Sequence, residues 1–94
     1  MLDYTDFIPL FKKYNSVDYD LFEKIINNYG FIMLCDGEEY IFVGIHGITY
    51  YTITDGRIEI RIPKNIVEII NFIKHHIENE YSIYLPSKYV EEEK

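Results

Sequence analysis

Cys35, His46 and the pair His75-His76 are the residues whose chemistry could go beyond packing. A lone cysteine becomes a nucleophile only beside a base or cation that favours its thiolate. His46 is the nearest histidine in sequence, but it lies at the far end of the next expected strand. At roughly 3.3 Å per residue that is about 15–20 Å away. Cys35 therefore reads as a small buried hydrophobe. His75 and His76 are neighbours on an expected helix and point about 100° apart, so they cannot serve one metal from the same face. Neither His-x3-His nor His-Glu-x2-His occurs. The pair reads as a solvent-facing His75 and a half-buried His76, and His46 as a turn residue.

Two acidic knots stand out: Asp36, Glu38 and Glu39 in one turn, and Glu91, Glu92 and Glu93 in the tail. The turn lacks the twelve-residue alternation of oxygen ligands that a calcium loop needs, so it reads as a solvated hairpin tip. No phosphate-cradling glycine loop and no nucleophile elbow is present. The sequence thus assigns no catalytic residue, no metal ligand and no cofactor.

These side chains must be positioned by a chain of 94 residues that is 48% apolar and carries a net charge of −7. That is enough apolar surface to exclude intrinsic disorder. The apolar runs are too short for a membrane span, which needs roughly 20 residues. The one cysteine excludes an internal disulfide, and no signal peptide is visible, so a reducing cytoplasm, or a host cytoplasm for a viral protein, is expected. There is no Ala, Gln or Trp, against ten Tyr and seventeen Ile. The composition resembles that of small proteins from AT-rich archaea, viruses or phages, and lack of Gln also suits a thermophile. The acidic balance argues against a protein whose main task is to grip nucleic acid.

The expected fold class is α+β, with order ααββββα in a single domain over residues 1–86 and a frayed acidic tail over 87–94. Helix one is expected from Asp6 to Tyr14, because Phe7, Leu10, Phe11 and Tyr14 fall at helical spacing. Ser16 is expected to cap a second helix, whose stripe is Leu21, Phe22, Ile25, Ile26 and Tyr29 and whose stop is Gly30. A four-stranded antiparallel meander follows: Phe31 to Cys35, Tyr40 to Ile45, Ile48 to Thr54 and Arg57 to Ile62. His46-Gly47 and Asp55-Gly56 are its expected two-residue turns. Asn65 and Glu68 begin a third helix with a capping box. Its face carries Ile66, Ile69, Ile70, Ile73 and Ile77, and there is room for a short fifth strand at Ser82 to Leu85.

Side chains alternate across a strand, so the turns assign two sheet faces. The strict alternation of the fourth strand marks the face of Met33, Phe42, Ile58, Ile60 and Ile62 as the inner one, with Ile60 fully buried beneath a helix. The second face holds Ile32, Leu34, Ile41, Val43, Ile45, Ile48 and Tyr50, with Arg61 toward the fourth strand. It is too apolar to stay exposed. Either the chain's own helices or C-terminal segment cover it, or another chain does.

The leading functional reading is a small acidic, non-enzymatic protein-interaction module: an inhibitor, an immunity-type protein or an adaptor. It would meet a protein partner, or itself as a homodimer, through Ile32, Leu34, Ile41, Val43, Ile45, Ile48, Tyr50 and Arg61. The acidic turn of Asp36, Glu38 and Glu39 would take part. A second reading is a small-ligand domain with a Tyr/His-lined cleft. A third is a nucleic-acid binder using Lys12, Lys13, Arg57 and Arg61.

Overall fold

Local pattern and pairing partners compete for the first segment of the chain, and pairing wins. In the computed structural model, which describes residue 6 and residues 8–52 and 57–91, Ile8–Leu10 form a single 3-10 turn containing Pro9. Phe11–Tyr14 then form strand β1. The expected helix over Asp6 to Tyr14 is thereby corrected. A nine-residue helix is marginal on its own, whereas β1 gains a ladder along β6 (Ser82–Pro86), with Phe11 opposite Pro86 and Tyr14 opposite Ile83.

Helix α1 spans Tyr19–Asn28, and its cap is Asp18 rather than Ser16: the Asp18 carboxylate accepts the Leu21 N–H at 3.1 Å. Phe22, Ile25 and Ile26 are its buried residues. The helix stops at Gly30, whose φ of +122° suits a residue without a Cβ. The Tyr29 and Gly30 N–H groups both donate to the Ile25 carbonyl.

The meander follows as β2 (Phe31–Cys35), β3 (Glu39–Gly44), β4 (Gly47–Thr52) and β5 (Arg57–Arg61). Both later hairpins pair two places away from the expected register. Gly44 opposes Gly47, and Thr52 opposes Arg57. The Asp55-Gly56 turn itself lies outside the described residues. A shift of two keeps every side chain on its assigned face.

Helix α2 spans Ile66–Glu78, capped as expected by Asn65, which accepts the Glu68 N–H at 3.0 Å. The short piece after it is β6, and it does not lie at an edge. The sheet has six strands in the order β1-β6-β2-β3-β4-β5, every neighbouring pair antiparallel. Ser87–Glu91, expected to start a frayed tail, form helix α3, and Tyr89 and Val90 pack against the core.

The helices lie on the second face. Ile32, Leu34, Ile41, Val43 and Ile48 are buried with Phe22, Ile25 and Ile26 of α1, Ile69 and Ile73 of α2, and Ile83 and Leu85 of β6. The expected inner face is the one opposite α1, α2 and α3, and Ile60, expected to be buried, is 65% exposed. The physical reason is position in the sheet. β5 is an edge strand, and its Ile60 on one face and Arg61 on the other are both exposed, so their alternation does not report a core. The central strands β2 and β3 are apolar on both faces. The core forms on the face to which β6 adds Ile83 and Leu85.

Candidate functional site

The eight residues expected to form an interface do not share a surface. Ile32, Leu34, Ile41, Val43 and Ile48 are fully buried beneath α1 and α2. Ile45 is exposed in the β3–β4 turn. Tyr50 is half-buried and meets Phe72 of α2 edge-on, ring centroids 6.1 Å apart. Arg61 forms a salt bridge with Glu68 in the first turn of α2. An interface through the second face is therefore replaced by the chain's own helices.

The acidic turn is an ordered structure. One Asp36 carboxylate oxygen accepts the N–H groups of Glu38 at 2.9 Å and Glu39 at 2.8 Å. Ser82 of β6 pairs with Cys35 of β2, which brings Tyr81 to the turn. Its hydroxyl donates to the Glu39 carboxylate at 3.1 Å. His76 packs edge-on to Tyr81 and stacks on Phe72, ring centroids 4.9 and 4.0 Å away. Its Nδ1 donates to the Phe72 carbonyl at 2.8 Å. As expected, His76 is half-buried and His75 faces solvent.

These contacts set two titrations. The Glu39 and Glu38 N–H groups hold the Asp36 carboxyl below its ordinary 3.8. Burial and the hydrogen bond to Glu39 push the Tyr81 hydroxyl up to about 12. A carboxyl that is more acidic in the folded chain stabilises it above the ordinary value, and this is lost as pH falls through the folded value. A tyrosine raised from 10.0 to about 12 stabilises the fold below pH 10, and this is lost as pH rises through 12. Stability should thus fall at both ends. Replacing Tyr81 with Phe should flatten the alkaline limb, as followed by urea midpoints across pH.

Cys35 is buried, and its Sγ accepts the Gly37 N–H at 3.3 Å. It should react with thiol reagents far more slowly in the native protein than after denaturation. Labelling at the rate of a free peptide thiol would show that the acidic turn opens. His46 lies beyond the other end of the β2–β3 ladder, where Phe31 opposes Gly44.

The first sheet face carries a second cluster. Phe11, Met33 and Phe42 are buried, and Ile8, Tyr29, Phe31, Tyr40 and Tyr84 pack around them. No residue of α1, α2 or α3 joins it. Phe31 links the rings, with centroids 5.5 Å from Phe11, 5.5 Å from Tyr29 and 5.9 Å from Phe42. Beside this cluster lies an open hollow of about 370 Å3, floored by Phe31, Phe42, Gly44 and Thr49 and rimmed by His46 and Ile60. Gly44 makes room for the Gly30 backbone: a Cβ at residue 44 would lie 2.3 Å from the Gly30 carbonyl oxygen.

No family model, curated protein or solved structure matches this chain. The site therefore rests on its own geometry. Among the described residues no group of three His, Cys, Asp or Glu could hold a metal ion. No helix among them is long and apolar enough to cross a membrane. Reading the first face as the core leaves no room for the hollow. Its signal was Gly44 inside an otherwise bulky strand, which marks a close backbone approach.

Proposed function

We propose that this chain is a small acidic protein-interaction module that binds a partner through the sheet face opposite α1, α2 and α3, with the acidic turn at the far end of β2–β3. The observation that carries this reading is the aromatic face itself. Phe31 and Phe42 floor a hollow beside the exposed Ile60, and no residue of α1, α2 or α3 joins the cluster behind them. Phe and Tyr supply large contact area at low entropic cost, which suits the centre of an interface. From Phe31 to Cys35 the face runs about 13 Å at roughly 3.3 Å per residue, well within one partner's reach. An apolar side chain would enter the hollow, and basic residues would meet Asp36, Glu38 and Glu39. Inhibitors, immunity-type proteins and adaptors work in this way.

The test is quantitative capture of a partner from the native host by wild type, Gly47→Glu and Glu38→Lys. The first variant places a charge at the hollow, and the second reverses one at the acidic end. Each should weaken binding at least about tenfold, with circular dichroism unchanged. If both variants bind as wild type does, the face is not the binding surface.

The hollow also favours a second reading. Its volume of about 370 Å3 falls in the usual range for small-molecule sites. Thr49 and His46 would supply the polar contacts. A melting shift with a metabolite, abolished by Gly47→Glu, would select this reading.

A further inference from the structure

The two edges of the sheet differ in how they meet solvent. At one edge β1 carries the exposed Lys12 and Lys13. Helix α3 packs on that side, and the Ser87 hydroxyl donates to the Leu10 carbonyl at 2.9 Å. Two-fold pairings that use all of β1 centre on Lys12 or Lys13 and set lysine opposite lysine. Such an edge is guarded against strand addition. At the other edge, no strand among the described residues pairs with the outer side of β5. Ile60 and Ile62 there are 65% and 68% exposed.

We propose that β5 pairs antiparallel with β5 of a second copy, about a two-fold axis through Ile60, joining the two sheets into one. This assembly uses the edge of the sheet and stands independently of the reading of its open face. The occupant is chosen by charge. In a two-fold strand pair, residues i and j face each other at a constant sum of their numbers. Centring the pair on Glu59 would set Glu59 opposite Glu59 and Arg57 opposite Arg61, which repel. Centring it on Ile60 sets Glu59 opposite Arg61 twice over, and Ile62 opposite Ile58 twice over, with Ile60 opposite itself. The stretch from 58 to 62, Ile-Glu-Ile-Arg-Ile, is thus self-complementary in both charge and apolar character.

Opposite charges and β-branched residues placed directly across an antiparallel pair both favour it. Arg61 already meets Glu68, and its five donors can serve a second carboxylate from the other copy. The interface is isologous, so it closes at two copies. Ile60 lines the rim of the hollow, so the dimer would carry two hollows on one continuous face.

The decisive experiment uses Glu59→Arg and Arg61→Glu, singly and mixed, in sedimentation equilibrium. Wild type should dimerise at about 100 μM. Each variant alone sets like charges opposite and should raise the dimer dissociation constant at least about tenfold. An equimolar mixture restores unlike pairs and should recover a heterodimer. Recovery shows that both variants fold, even where Arg61→Glu loses its contact with Glu68. Ile60→Lys should be monomeric at about 100 μM, and at low micromolar concentration its melting temperature should match that of wild type. A monomeric wild type, single variants that dimerise as wild type does, or a mixture that stays monomeric would each overturn the proposal.

Discussion

Val43→Glu is expected to be largely unfolded in water at 25 °C. Val43 is fully buried, stands opposite Ile32 on one side and Ile48 on the other, and lies in a cluster made wholly of apolar residues. A carboxylate placed there has no cation to meet. Whether it stays ionised or takes up a proton, the folded state carries a desolvation cost of several kcal/mol. The larger side chain adds about 1–3 kcal/mol of overpacking. A domain of this size has a total stability of roughly 5–15 kcal/mol, so little would remain. Ile60→Glu is the control. Its site is 65% exposed in the single chain, and at low micromolar concentration, below that of self-association, its effect should stay within about 0.5 kcal/mol. Urea denaturation followed by circular dichroism measures both. A folded Val43→Glu that merely changed its association state would place the second face at an interface and the first in the core.

The contrast between these two sites shows what was legible in the sequence and what was not. The meander from Phe31 to Arg61 and both long helices could be read, because their signals are local. Period two, the Asn65 cap and the Gly30 stop each act within a few residues. Face membership could be read as well, since parity survives a register error of two. Which face the helices take could not. That choice depends on β6, which inserts between β1 and β2 from 47 residues after the end of β2 and adds Ile83 and Leu85 to one side. β1 was missed for the same reason: the helical spacing of Leu10, Phe11 and Tyr14 is a local pattern, and its ladder to β6 is not. The acidic turn was placed correctly as a hairpin tip, but its link to Tyr81 runs across 42 residues and has no counterpart in local spacing. The hollow depends on which face stays open, so it could not be located before that was known.

Gly44→Ala should cost about 3 kcal/mol, at the upper end of the usual overpacking range, while Gly47→Ala, at its direct partner across the β3–β4 ladder, should not destabilise. A Cβ at residue 44 would stand 2.3 Å from the Gly30 carbonyl oxygen and 3.0 Å from the Phe31 Cβ. Neither is the free end of a flexible side chain. Relief would require β3 to move away from the turn that ends α1, carrying Phe42 away from Phe31. At residue 47 the nearest atoms are the Ile60 Cγ2 at 3.7 Å and the Arg61 carbonyl oxygen at 3.9 Å, an ordinary contact. Its φ is not among the positive glycine values, so alanine there should instead stabilise by about 0.4–1 kcal/mol through the unfolded chain. The two variants add the same methyl group to opposing residues, so the difference between their urea midpoints isolates the contact with Gly30. Equal midpoints would mean that Gly30 and Gly44 are not in close contact, and the floor of the hollow would then not be fixed by them.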